Sequence, residues 1–155
     1  MGLISPLLKW RDDRHRLAKL RFDLEDVEDK FRRKLEVESL KRGSEKWEKA
    51  YADYANDKDQ IYAEIDQLET KNLLKRAKVW NVAIPPRPIP LPEPDRDDNY
   101  WDWCDVHGCY YLSDEGKELL RHKAYSEMEM FYKPWLSWMA VGISVLSLII
   151  SVFRS

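Results

Sequence analysis

Residues 135–153 read WLSWMAVGISVLSLIISVF, a stretch without a single charged side chain. A helix of this length is about 28 Å long, close to the thickness of the hydrocarbon core of a bilayer. Trp135 and Trp138 lie at one end, and tryptophan is enriched at membrane interfaces. The stretch predicts a transmembrane helix rather than the buried core helix of a soluble fold, and it makes the lipid bilayer the expected partner of residues 135–153.

The residues that flank this span predict its orientation. Lys117, Arg121, Lys123 and Lys133 precede it, whereas Arg154 is the single charge beyond it. Basic residues favour the cytoplasmic side of a membrane, so the N-terminal portion is expected in the cytoplasm. The chain thus reads as a single-pass, tail-anchored membrane protein. Residues 1–10 are apolar, but they run directly into charge and predict no cleavable signal peptide.

Small residues recur along the span at alternating spacings of three and four. This stripe consists of Ser137, Ala140, Ser144, Ser147 and Ser151. Small faces let transmembrane helices approach closely, so the stripe predicts association between copies and a homo-oligomer. One alternative is that each hydroxyl bonds back to its own helix, and another is that several spans turn the stripe inward to line a narrow pore.

Heptad patterns dominate residues 1–82 and predict a long coiled-coil helical hairpin with arms at residues 6–42 and 45–80. Gly43 is expected to end the first arm and Ser44 to cap the second, although one unbroken helix through Gly43 is the alternative. The aromatic residues of the second arm fill the seam or dock a helical protein partner. The predicted seam consists of Leu17, Leu20, Leu24, Val27, Phe31, Leu40, Trp47, Tyr51, Tyr54, Ile61, Ile65 and Leu68.

Residues 83–98 form an acidic, proline-rich linker. Closely spaced prolines exclude helix and central strand, so a stiff polyproline II spacer is expected. Pro85 and Pro88 also form a PxxP motif, and docking to an aromatic groove is the alternative.

Residues 99–112 read NYWDWCDVHGCYYL and form a small aromatic module. Strands at residues 103–105 and 109–112 around Gly108 would make a short β-hairpin, while an aromatic platform packed on the next helix is the alternative. Cys104, His107 and Cys109 are zinc candidates, but a closed zinc site needs four ligands. We therefore expect no metal, no cofactor and no catalytic residue. Residues 113–133 predict a juxtamembrane helix that Ser113 caps and that a kink or break at Pro134 follows.

Composition argues against several functions. The net charge is -2, so nucleic-acid binding is not expected, and the five glycines leave no room for a glycine-rich phosphate loop. No motif indicates a small-molecule substrate or an enzyme.

Residues 110–121 read YYLSDEGKELLR and precede a charged helix and a hydrophobic span. This pattern resembles small bacterial single-pass membrane proteins of unassigned function, whose form is Tyr-Leu-Thr/Ser-x-x-Gly-x-x-x-Leu-Arg. The resemblance implies a bacterial inner membrane. The same stretch also resembles the last strand-to-helix junction of winged-helix repressors, but no compact helix-turn-helix precedes it.

The sequence predicts a mainly α fold that ends in a transmembrane helix. The expected function is a non-enzymatic coiled-coil scaffold or partner-binding module that faces the cytoplasm. The alternatives are a small oligomeric membrane effector that permeabilises the membrane when triggered, and a thiol or zinc sensor.

Overall fold

A computed structural model describes residues 4–89 and 98–154 of the chain. The helices are α1 (Ile4–Val37), α2 (Glu45–Val79) and α3 (Asp114–Arg154). Between α2 and α3 lie the strands β1 (Trp101–Cys104) and β2 (Cys109–Leu112). The fold is mainly helical, as predicted, with a small two-stranded antiparallel sheet and one long apolar C-terminal helix.

The connection between α1 and α2 differs in part from the prediction. α1 ends at Val37 rather than near residue 42, and the chain turns through Ser39 and Gly43, whose φ angles are 46° and 86°. The early end has a local cause, because the positive φ of Ser39 cannot continue a right-handed helix. Ser44 caps α2 as predicted, since its hydroxyl accepts a hydrogen bond from the Trp47 backbone nitrogen at 3.3 Å. The described chain therefore has two helices here rather than one.

α1 and α2 pack side by side in antiparallel directions. Arg16 pairs with Glu64 at 3.0 Å, and Lys58 pairs with Glu28 at 3.5 Å. Higher residue numbers on α1 therefore pair with lower residue numbers on α2, as they do in antiparallel helices. Leu20, with 8% of its surface exposed, is the most buried α1 residue of the interface. It forms one apolar cluster with four other seam residues: Leu17, Ile61, Ile65 and Leu68.

The end of the hairpin near the turn is filled by aromatic rings. Phe31 of α1 stacks on Tyr54 of α2, with 4.4 Å between the ring centroids. Trp47 stacks on Tyr51 at 5.1 Å. Tyr51 keeps 48% of its surface exposed and therefore lies at the edge of the seam. The remaining seam residues, Leu24, Val27 and Leu40, are half-buried.

The aromatic module is a β-hairpin in which β1 pairs with β2. Trp101 lies opposite Leu112, and Cys104 lies opposite Cys109. The first strand begins two residues earlier than predicted, because Trp101 is buried and belongs to the paired, inward-facing set. Gly108 has a φ of 59° in the turn, a conformation that glycine adopts without steric cost.

The described part of the predicted linker lies against the module. Val82 is buried and Ile84 packs on the same apolar cluster. The Arg87 guanidinium stacks over the Trp101 ring at 5.2 Å and donates a hydrogen bond to the Tyr110 carbonyl oxygen. Ile84 and Arg87 thus attach this stretch to the module through contacts that a free spacer would lack. The rest of the predicted spacer, residues 90–97, lies outside the described residues.

α3 is one helix where two were predicted. It runs through Pro134 without interruption, so the expected end at residue 133 is wrong. Proline removes one backbone hydrogen bond, but the bonds on either side continue the helix, and Ser137 adds a bond from its hydroxyl to the Lys133 carbonyl oxygen at 3.1 Å.

Replacing Phe31 by alanine tests the stacked end of the hairpin. We expect Phe31→Ala to lower the free energy of unfolding by about 2 kcal/mol, less than for a fully buried ring, because Phe31 is half-buried. Phe22→Ala is the matched control, since Phe22 lies on α1 with 68% of its surface exposed, and its loss should stay within about 0.5 kcal/mol. Chemical denaturation of the full chain in detergent gives both values. Equal losses would contradict the stacking arrangement.

Candidate functional site at the base of the hairpin

The C-terminal part of α2, which we call the base of the helical hairpin, shares one apolar core with the β-hairpin and the start of α3. We call this core the junction. Trp101, Tyr110, Leu112 and Leu120 are its largest fully buried side chains, each with no more than 2% of its surface exposed. Ala77 of α2 is completely buried against them. The junction thus joins three elements that are far apart in sequence. Its other buried members are Val82 and Ala124.

The stretch at residues 110–121 supplies much of the junction. The Ser113 hydroxyl accepts a hydrogen bond from the Gly116 backbone nitrogen at 3.1 Å and donates one to the Asn99 carbonyl oxygen at 2.7 Å. Gly116 lies so close to the Tyr100 backbone that a Cβ atom there would overlap the Tyr100 carbonyl oxygen. Ser113 therefore caps α3, and Gly116 permits close packing of α3 against the Tyr100 backbone.

A polar link crosses the edge of the junction. The backbone nitrogen of Leu112 donates a hydrogen bond to the Thr70 hydroxyl at 3.0 Å, and both residues are buried. This bond satisfies a backbone nitrogen of β2 that would otherwise be costly to bury. It also fixes β2 against α2 at Thr70.

Lys117 is the charged centre of the junction. Its ammonium group lies 2.7 Å from an Asp66 carboxylate oxygen and 3.5 Å from both Glu69 and Asp114. Burial would lower the pKa of Lys117, but the hydrogen bond to Asp66 and the charges of Asp66, Glu69 and Asp114 outweigh it, so the pKa is raised. Glu69 also pairs with Arg21 at 3.1 Å. One cluster therefore connects α1, α2 and α3.

The contacts show that α2 and α3 run in the same direction. Asp66 meets Lys117 near the start of α3, whereas Trp80 meets Phe131 and Tyr132 farther along, with ring centroids 6.1 and 6.2 Å apart. The C-terminal end of α2 is therefore on the same side of the body as the apolar part of α3.

Beyond these contacts α3 is exposed along its length. Trp135 is 67% exposed and Trp138 is 76% exposed. Within the described residues, α3 is the one helix long and apolar enough to cross a membrane, and none of its apolar window is buried. This bears out the apolar helix but leaves its orientation and its membrane as predictions.

The hydroxyls of the predicted stripe bond within their own helix. Ser144 donates to the Ala140 carbonyl oxygen and Ser147 to the Ile143 carbonyl oxygen, both at 2.9 Å. With Ser137, three of the predicted association residues thus adopt the back-bonded arrangement. Ala140 and Ser151 are exposed on the same helix.

The cysteine and histidine side chains lie at the turn end of the β-hairpin. Cys104 and Cys109 are neighbours across the strands and both are free thiols. His107 Nδ1 lies 2.7 Å from the Tyr111 hydroxyl. Burial, together with the nearby Cys109 and Cys104, raises the pKa of Tyr111. Among residues 4–89 and 98–154, no group of three potential metal ligands comes together.

A cleft of about 270 Å³ lies between α2 and β1, and acidic side chains line much of it. Its residues include Asp59, Asp66, Asp102 and Asp105, beside Cys104. Desolvation, followed by the charges of Asp114 and Asp66, raises the pKa of Asp102.

The polar members of the junction were not predicted from the sequence. Asp66, Glu69 and Thr70 lie next to Ile65 and Leu68, on or beside the face that was read as a seam. Polar residues at this spacing are typical of a solvated helix face, so the sequence carries no signal that β2 and α3 cover this part of α2.

Comparison of the chain with protein-family models, curated proteins and solved structures yields no match.

Replacing Lys117 tests the charged centre. Lys117→Met removes the charged hydrogen bond to the half-exposed Asp66 carboxylate, whereas Glu69 keeps its ion pair with Arg21, so we expect a loss of about 2 kcal/mol in the free energy of unfolding. Lys123→Met is the control on the exposed side of α3 and should change stability by less than about 0.5 kcal/mol. Near-ultraviolet circular dichroism during denaturation in detergent reports both. Because the folded pKa lies above 10.5, the difference between wild type and Lys117→Met should persist at neutral pH and fade only as pH rises through that folded value. A difference that is already absent at neutral pH would refute the role of Lys117.

Proposed function

We propose that the chain is a membrane-anchored scaffold that holds a helical hairpin of the coiled-coil type at the bilayer surface and binds partners without catalysing a reaction. The observation that carries the proposal is the continuity of α3. The same helix is packed in the junction through Leu120 and Ala124 and then presents an apolar stretch with no buried residue. An apolar surface of this length is costly in water and favourable in lipid.

The hairpin supplies the surface for partners. Tyr51 and Tyr62 expose 48% and 43% of their surfaces on α2, and aromatic side chains of this kind are enriched in interfaces between proteins. A second helical protein, or a second copy of the chain, is the partner we propose. The N-terminal portion would face the cytoplasm, because Lys117, Arg121, Lys123 and Lys133 precede the span.

We favour anchoring over the formation of a pore. Ser144 and Ser147 each donate their hydroxyl proton to a carbonyl oxygen of their own helix, so these protons are not directed toward a neighbouring span or a pore. Back-bonded serines are compatible with lipid contact and with close packing of spans.

Carbonate extraction of membranes from expressing cells tests the anchor. The wild-type chain should remain in the membrane pellet after alkaline carbonate treatment. Val145→Lys/Ile149→Lys should shift most of the protein out of the lipid-bound fraction, because each lysine near the middle of a span costs about 2.5–3.5 kcal/mol. Tyr125→Lys, on the exposed soluble part of α3, should stay in the pellet.

Release of the wild-type chain by carbonate, or full retention of the double lysine variant, would show that α3 does not span the bilayer.

Protease added to intact spheroplasts should leave the hairpin uncut if it faces the cytoplasm.

A further inference from the structure

The first turns of α1 extend past the end of α2 on the side from which α3 leaves the junction. Asp13 and Arg14 line a cleft with Arg76 and Val79, so α1 meets the last turn of α2 there. α1 continues from Asp13 back to Ile4. At 1.5 Å per residue, it projects on the order of 10 Å beyond α2.

That projection reaches the level at which the apolar part of α3 begins. Trp80, next to the end of α2, contacts Phe131 and Tyr132, and α2 and α3 run in the same direction. α1 runs antiparallel to α2, so its beginning and the apolar part of α3 leave the body at the same end. Residues 4–10 of α1 therefore lie at the level of α3 residues beyond Tyr132.

The composition of this end suits a membrane interface. Residues 1–10 contain a single charged side chain, Lys9, and include Trp10. Tryptophan prefers the boundary between headgroups and acyl chains. Trp135 and Trp138 of α3 are exposed at a similar level. The start of α1, whose sequence is apolar, thus lies at the level of the exposed tryptophans of α3, where a bilayer boundary would lie.

Charge separates the two ends of the body. Stretches 9–14, 71–80 and 121–133, at the end where α3 leaves, together hold ten Lys/Arg and four Asp/Glu. Residues 23–64, which include the turn of the hairpin, hold nine Lys/Arg and thirteen Asp/Glu. Residues 71–80 contain no acidic residue at all. At the end where α3 leaves the body, the exposed basic residues include Lys9, Lys75, Arg76, Lys78 and Lys133.

We propose that the end of the body formed by residues 4–14 and 71–80 contacts an anionic lipid bilayer, with the first turns of α1 entering the headgroup region beside the span. Basic residues at a membrane surface attract anionic lipids, and an apolar helical segment gains free energy by burial at the boundary. This proposal rests on the proposed anchoring of α3 in the membrane.

Fluorescent probes on the full chain in lipid vesicles test the contact. The environment-sensitive dye NBD is attached to Leu8→Cys, Val37→Cys or Val145→Cys, each in a Cys104→Ser/Cys109→Ser background. The vesicles contain phosphatidylcholine alone or phosphatidylcholine with phosphatidylserine, plus lipids that carry a doxyl quencher. Val145 reports the span, and Val37, which is 84% exposed near the turn, is the control away from the membrane.

We expect a blue shift and quenching at positions 8 and 145, with neither change at position 37. Quenching at position 8 should increase with phosphatidylserine, and Lys75→Gln/Arg76→Gln/Lys78→Gln should remove that increase. Quenching at position 145 without quenching at position 8 would overturn this inference alone. Absence of quenching at position 145 would overturn the membrane anchor itself. Equal quenching at position 8 with and without phosphatidylserine would overturn the contact with anionic headgroups.

Discussion

The rest of the structure depends on the close packing of the first turns of α3 against α2 and the β-hairpin. Gly116 allows the helix to touch the Tyr100 backbone, Leu120 fills the space beside it, and Lys117 joins carboxylates of α2. A hairpin of two helices has a thin core of its own, so the additional apolar surface supplied by the junction is important for its stability. The same packing also sets the direction in which α3 leaves the body.

α3 passes through two environments without a change of secondary structure. Its first turns pack against the rest of the protein, whereas its later turns expose large apolar side chains such as Leu146 and Ile150. Helical hydrogen bonding suits both environments, because the backbone groups of a helix interior bond within the helix, apart from the one bond that Pro134 removes. A continuous helix of this kind transmits the orientation of the soluble body directly to the apolar segment, whereas a flexible connection would not.

Much of the architecture could be predicted from local patterns, and the departures have physical causes. The apolar stretch, the caps at Ser44 and Ser113 and the cluster around Leu20 and Ile65 follow from spacing and side-chain chemistry. Tertiary contacts decide the rest. The strand includes Trp101 because it is buried, and residues 83–89 lie on the module because Arg87 contacts Trp101. The helix passes Pro134 because one missing hydrogen bond is a smaller loss than ending the helix at the boundary of an apolar segment. No single-sequence pattern reports these contacts.

The distance between the hairpin and the apolar helix tests whether the two form one rigid unit. Spin labels at Gln67→Cys and Val141→Cys, in a background without Cys104 and Cys109, lie on exposed positions of α2 and α3. Because position 67 is level with the start of α3, the rise of an α-helix predicts a separation of roughly 35–40 Å. Double electron–electron resonance on the chain in lipid nanodiscs should give one narrow distribution near that value. A broad distribution, or one centred at a much shorter distance, would contradict the account.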